Sequence, residues 1–183
     1  MAHYEKTLEQ TYLYRGKIVS LRVDKAELEN KKIASREVVE HSGGVCVLPL
    51  DKDGMVTLVR QFRYPYMAEL LEAPAGKRSP GEDPLECGKR ELAEETGLCA
   101  GHYTSLGELY PSPGYLDEII HLYLATGLTH VGQSLDEDEF LDICTLPLAK
   151  AVQMVLDGGI KDAKTQTALL KAHLLCQSGE LSF

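Results

Sequence analysis

The segment DPLECGKRELAEETG, Asp83 to Gly97, carries start and stop signals for a single helix. Asp83 can cap the first turn, Pro84 suits the first helical position, where no N–H is needed, and Glu86 is placed to close a capping box. Gly97 supplies the left-handed residue on which helices commonly end. At about 100° per residue, Leu85, Gly88, Leu92 and Thr96 share one face, which can pack on a sheet. Glu91, Glu94 and Glu95 fall on another. An acidic helical stripe is more often a solvated face than a site. Here, however, like charges one turn apart repel by about a few tenths of a kcal/mol per pair, and Arg90, at i,i+4 to Glu94, is the local offset. A hard divalent cation would supply the rest, since Mg²⁺ typically takes one or two carboxylates together with substrate phosphates. Glu91 and Glu95, one turn apart, suit that role.

Strand patterns surround this helix. Val19, Leu21 and Val23 alternate with polar residues, and Ile33–Glu40 continues in the same style after the turn-like Glu29-Asn30-Lys31-Lys32, which predicts an N-terminal antiparallel sheet over residues 1–40. Gly44–Leu50 reads as a buried strand, Asp51-Lys52-Asp53-Gly54 as a hairpin turn, and Met55–Phe62 as the return strand. Leu70–Ala73 is a shorter strand before the helix. Beyond it, Tyr103–Tyr110, Glu118–Ala125 and Phe140–Leu146 read as strands, with loops at Pro111–Gly114 and Gly127–Asp138. Pro147–Leu156 and Ala163–Cys176 are helical, broken by Gly158-Gly159. The class is mixed α/β, with residues 41–183 forming the main domain.

The chain has 183 residues, 44% hydrophobic, enough for one well-filled core, and a net charge of −9. That charge argues against a nucleic-acid or anionic-membrane surface, both of which call for Lys and Arg. A small anionic substrate remains open if metal ions bring the positive charge. No apolar run reaches the roughly 18 residues of a membrane span, and MAHYEKTLEQ lacks a signal-peptide core, so a cytoplasmic protein is expected. Five cysteines without a Cys-x-x-Cys pair suggest reduced thiols rather than disulfides or zinc. The scattered histidines carry no catalytic pattern.

The helix and its approach resemble the signature of the Nudix hydrolases, which is met here at Gly76, Glu82, Arg90, Glu91, Leu92, Glu94, Glu95, Gly97 and Leu98. The resemblance implies a Nudix fold, an α/β/α sandwich with a mixed sheet, preceded by the small N-terminal sheet. Over most of its length the chain is similar to the ADP-ribose pyrophosphatase branch. Leu13–Lys17, Arg36-Glu37, Arg60-Gln-Phe-Arg63, Leu71–Gly76 and Ser112-Pro113-Gly114 carry that likeness.

It implies Mg²⁺-dependent hydrolysis of ADP-ribose to AMP and ribose 5-phosphate, with Mn²⁺ as a substitute ion. Implied metal ligands are Glu91, Glu95, the Ala75 carbonyl and Glu139. Glu139, with Glu137 as its alternative, would activate water, and Glu94 and Arg90 complete the catalytic group. Arg36, Arg63, Lys77 and Ser112 are implied substrate contacts. The chain departs from the pattern after Gly16, where relatives often place an aromatic to stack on adenine. Lys17 and Ile18 stand there, the chain has no Trp, and Tyr14 is the nearby aromatic. Other nucleoside diphosphate sugars or dinucleotides as substrates, a non-catalytic nucleotide-binding module and an isomerase on the same fold are the competing readings. The resemblance further implies a homodimer in which the N-terminal sheet lends Arg36 to the partner's site.

Overall fold

Residues 3–135 and 140–180 are described in the computed structural model of the chain, which divides into two units. The first comprises Met1–Gly43 and Tyr110–Ile119, the second Gly44–Leu109 and Ile120–Phe183.

In the first unit, β1 (Lys6–Arg15), β2 (Val19–Glu27) and β3 (Ile33–His41) form an antiparallel sheet in that order. Alternation marks β2, although its buried residues, Asp24 and Ala26, fall on the register opposite Val19, Leu21 and Val23, which are half-buried. It gives no sign of β1, where every residue is exposed. The register sets Gln10, Asp24 and Arg36 abreast across the three strands. Tyr110–Ile119 lies along β3: the Val39 N–H donates to the Tyr115 carbonyl (2.7 Å), and the Val39 carbonyl accepts from Asp117 N–H (3.1 Å).

The second unit is built on two sheets. One is mixed and contains β4 (Gly44–Pro49), β7 (Ala75–Lys77), β8 (Leu98–Leu109) and β9 (Ile120–His130) in the order β7-β4-β9-β8, with β4 and β9 parallel. The other is antiparallel, with β5 (Met55–Arg63) between β6 (Ala68–Glu72) and β10 (Leu141–Pro147). β4 is buried throughout and separates two cores. Val47 meets Leu92 of α1 (Pro84–Thr96), together with Leu98 and Ala125. Cys46 and Leu48 join the larger cluster, to which α2 (Leu148–Leu156) contributes Ala151 and Val152 and α3 (Ala163–Ser178) contributes Ala168, Leu169 and Ala172. Helices therefore cover both faces of a mixed sheet, the expected α/β/α sandwich. Burying Leu92 completely is worth about 1.5–3 kcal/mol.

Three boundaries differ from the sequence reading. The strand expected at Leu70–Ala73 is two strands, because the chain leaves β6 at Glu72 and enters the other sheet at Ala75, with the Pro74 carbonyl accepting from Val47 N–H (2.8 Å). β8 begins directly after α1 rather than at Tyr103. β9 runs on to His130 where a loop was expected from Gly127, since Gly127 adopts a φ of 67° inside the ladder without ending it. Among the described residues, no helix is long and apolar enough to cross a membrane.

Candidate active site

The N-terminus of α1 is capped as its sequence indicates, with Asp83 Oδ1 accepting from the Leu85 and Glu86 N–H groups (2.9 and 3.2 Å). The reciprocal half of the capping box is absent, because Glu86 directs its carboxylate to Lys89 Nζ at 2.7 Å. Gly97 ends the helix at φ 67°, and a Cβ there would run into the backbone of Gly132 and Gln133.

Glu91 and Glu95 are not on an open face. They are 7% and 3% exposed, and both lie against the strand β7. The Ala75 N–H donates to Glu95 Oε2 (3.1 Å), and Gly76 gives Glu91 its room, since a Cβ at that position would overlap the Glu91 carboxylate. Arg90 gathers the remaining acidic groups. Its Nη1 lies 2.7 Å from Glu91 Oε1 and 2.9 Å from Glu94 Oε2, and its Nε lies 3.1 Å from Glu82 Oε1. Burial works against the Arg90 charge, but these carboxylates outweigh it and raise the guanidinium above its usual range. In return, Arg90, aided by the Ser79 N–H, holds Glu82 down to about 2. Burial pushes the neighbouring Cys87 thiol up to about 12, leaving it protonated and a poor nucleophile at neutral pH. Among the described residues, no three His, Cys, Asp or Glu side chains gather into a metal cluster. The site offers two buried carboxylates beside the Ala75 backbone.

Arg63 lies at the end of β5, where Nε and Nη2 each make a 2.7 Å hydrogen bond to the two oxygens of Glu72. Glu72 is 1% exposed. Its Oε2 also accepts from Lys164 Nζ (2.5 Å), which reaches Asp162 Oδ1 at 2.8 Å. Burial opposes charge on Glu72, yet Arg63 and Lys164 hold its carboxyl below the usual range. Burial likewise opposes charge on Lys164, yet Asp162 and Glu72 hold its ammonium above its usual value. Sequence reasoning passed over Glu72, Asp162 and Lys164. A glutamate within Leu70-Leu71-Glu72-Ala73-Pro74 is the one available signal, because an acidic residue in an apolar strand needs a partner.

Lys77 is exposed at the end of β7, and its carbonyl accepts from Cys87 Sγ at 3.7 Å. In the first unit, Arg36 makes a bidentate pair with Glu5 (2.8 and 2.6 Å) on the rim of an open cavity of about 390 Å³ that Asp24, Pro113 and Tyr115 also line. The Ser112 carbonyl closes the turn before Leu116, accepting from its N–H at 3.0 Å. Glu137 and Glu139 lie outside the described residues.

Two family models cover most of the chain: the NUDIX domain matches residues 40–169, and the nucleoside diphosphate sugar hydrolase N-terminal domain matches residues 5–39. Among curated relatives, the chain is 40% identical over 167 residues to the ADP-ribose pyrophosphatase of Bacillus subtilis (strain 168), and 41% identical over 167 residues to the methanol dehydrogenase activator of Bacillus methanolicus. Each alignment covers 90% of this chain and 90% of the relative. The crystal structure of an ADP compounds hydrolase superposes with a TM-score of 0.83 over 97% of both chains at 23% identity, a likeness of fold. With its signature helix formed, its sandwich built around that helix and its two regions matched in order, the chain belongs to the Nudix hydrolases.

Proposed function

We propose that this hydrolase cleaves the diphosphate of ADP-ribose, giving AMP and ribose 5-phosphate, with Mg²⁺ as its ion and Mn²⁺ as a substitute. The observation that carries the reading is the pair of buried carboxylates, Glu91 and Glu95, one turn apart on α1 and facing the Ala75-Gly76 backbone. The relative named ADP-ribose pyrophosphatase supports the choice of substrate. Nudix hydrolases in general use divalent ions. The donors here are all hard oxygens, two carboxylates with the Ala75 carbonyl, which suits Mg²⁺ completed by substrate phosphates. When bound, the ion neutralises diphosphate charge and acidifies water. The protein supplies positioning, which carries most of such phosphoryl chemistry. Arg90 holds Glu91, Glu94 and Glu82 in place, and Arg63, whose Nη1 has no protein partner among the described residues, grips a phosphate oxygen. Arg36, Lys77 and Ser112 contact the rest of the nucleotide, and Glu139 takes the proton from the attacking water.

Chromatography after incubation with Mg²⁺ and ADP-ribose, ADP-glucose, GDP-mannose, NADH or diadenosine polyphosphates tests the substrate. AMP and ribose 5-phosphate from ADP-ribose are expected as the dominant products. Faster cleavage of another compound would move the assignment to that substrate, and binding without any product would make the chain a nucleotide-binding module. Arg36→Ala and Arg63→Ala should each raise KM for ADP-ribose by about 10- to 100-fold, the worth of a hydrogen bond to a charged group. Unchanged KM in either variant removes that arginine from the substrate.

The working form is a homodimer joined through the N-terminal sheet. Leu8, Leu13, Tyr14, Ile18 and Ile33 are all exposed there, and β1 is a long edge strand of the kind proteins usually cover. Sedimentation at micromolar concentration should show twice the chain mass, with Leu8→Glu shifting it to monomer. A wild-type monomer would end this part of the reading. The five free thiols suit the reducing cytoplasm.

A further inference from the structure

Four consecutive residues, Glu72 to Ala75, carry the chain from β6 into β7, and each is tied to another element. Glu72 is held by Arg63 and Lys164, and the Ala73 N–H donates to Thr165 Oγ1 at 2.8 Å. The Pro74 carbonyl accepts from Val47, and the Ala75 N–H donates to Glu95. Two of these ties come from the first turn of α3. Asp162 caps that helix by accepting from the Thr165 N–H (2.9 Å) and hydroxyl (2.5 Å), and its other oxygen takes Lys164.

Arg63, Glu72, Lys164 and Asp162 thus form a chain of alternating charge, two positive and two negative. Glu72 alone would neutralise Arg63, because both of its oxygens are on the guanidinium. Lys164 shares that carboxylate, so Arg63 is held rigidly by two hydrogen bonds and still presents positive charge through Nη1, which has no partner among the described residues, with 37% of its side chain exposed. Asp162 in turn draws part of the Lys164 charge away from Glu72.

We infer that Lys164 is a positioning residue for substrate binding: by sharing Glu72 it sets how much of the Arg63 charge is available to the diphosphate, and Asp162 tunes it in the opposite direction. This rests on the reading above that Arg63 contacts substrate.

Steady-state kinetics with ADP-ribose and Mg²⁺ test it through three substitutions. Lys164→Met should raise KM about fivefold with kcat nearly unchanged, as contacting groups couple. Lys164→Arg, which keeps the charge, should restore most of the binding. Asp162→Asn should lower KM by about two- to threefold, because asparagine still caps the helix while Lys164 turns wholly to Glu72. Damage to folding would not improve binding, so this variant keeps the test decisive even if Lys164→Met proves too unstable to purify. In an Arg63→Ala background, Lys164→Met should change KM little. An equal rise with and without Arg63, or a raised KM in Asp162→Asn, overturns the inference and leaves Arg63 as a substrate contact. If Arg63→Ala itself leaves KM unchanged, both this inference and the assignment of Arg63 fall.

Discussion

Glu95→Gln should lose most of its turnover while its fold survives, and Glu91→Gln should do the same. Glutamine keeps an oxygen that can accept from the Ala75 N–H, so the local geometry around residue 95 persists. The negative charge that a divalent cation needs is gone. We expect kcat to fall by about 10²- to 10³-fold, comparable to deleting one preorganised electrostatic contact in an active site. Glu91→Gln additionally turns the ion pair with Arg90 into a hydrogen bond to a neutral acceptor. Against that loss stands the relief of repulsion among Glu91, Glu94 and Glu95, so the melting temperature of the metal-free protein should change little. A second readout needs no turnover. A ligand that binds only the folded chain raises its stability, so Mg²⁺ should stabilise the wild type against heat and stabilise these variants much less. Normal turnover with an unchanged Mg²⁺ effect would remove both residues from the metal.

Gly76→Ala should be nearly as damaging, through sterics rather than charge. A Cβ there would overlap the Glu91 carboxylate, which is 7% exposed and engaged by Arg90, so it cannot simply swing into solvent. Either β7 withdraws from its pairing with β4, in which Gly76 lies opposite Val45, or Glu91 leaves its position. Overpacking of this kind costs about 1–3 kcal/mol. We expect that loss in thermal unfolding, with a clear drop in kcat because Glu91 no longer sits against β7 beside Glu95. Shortening the obstructing side chain should restore stability, making Gly76→Ala with Glu91→Ala more stable than the sum of the two single changes. Wild-type stability and turnover for Gly76→Ala would mean that Glu91 does not occupy this position in solution.

The helix Pro84–Thr96, its Asp83 and Gly97 ends, the hairpin around Asp51–Gly54 and the two C-terminal helices were legible in the chain itself. Caps, turns and side-chain period act between residues a few positions apart, so the order of residues carries them. The same locality made Glu91 and Glu95 recognisable as a pair one turn apart. Other features had no such signal. β1 is exposed along its whole length, so no burial imposed a pattern on it. Gly127 looks like a breaker but fits inside a paired strand, because its partner strand accommodates the left-handed residue. Glu91 and Glu95 became buried rather than solvated only when β7 came to lie against α1 and Gly76 left space for a carboxylate. Lys164 meets Glu72 across 92 positions of sequence, and Glu5 meets Arg36 across 31. Local sequence rules do not reach so far. Those pairs exist because sheet pairing and core packing bring distant segments together, and a buried charge settles beside whichever opposite charge the packing has placed within reach.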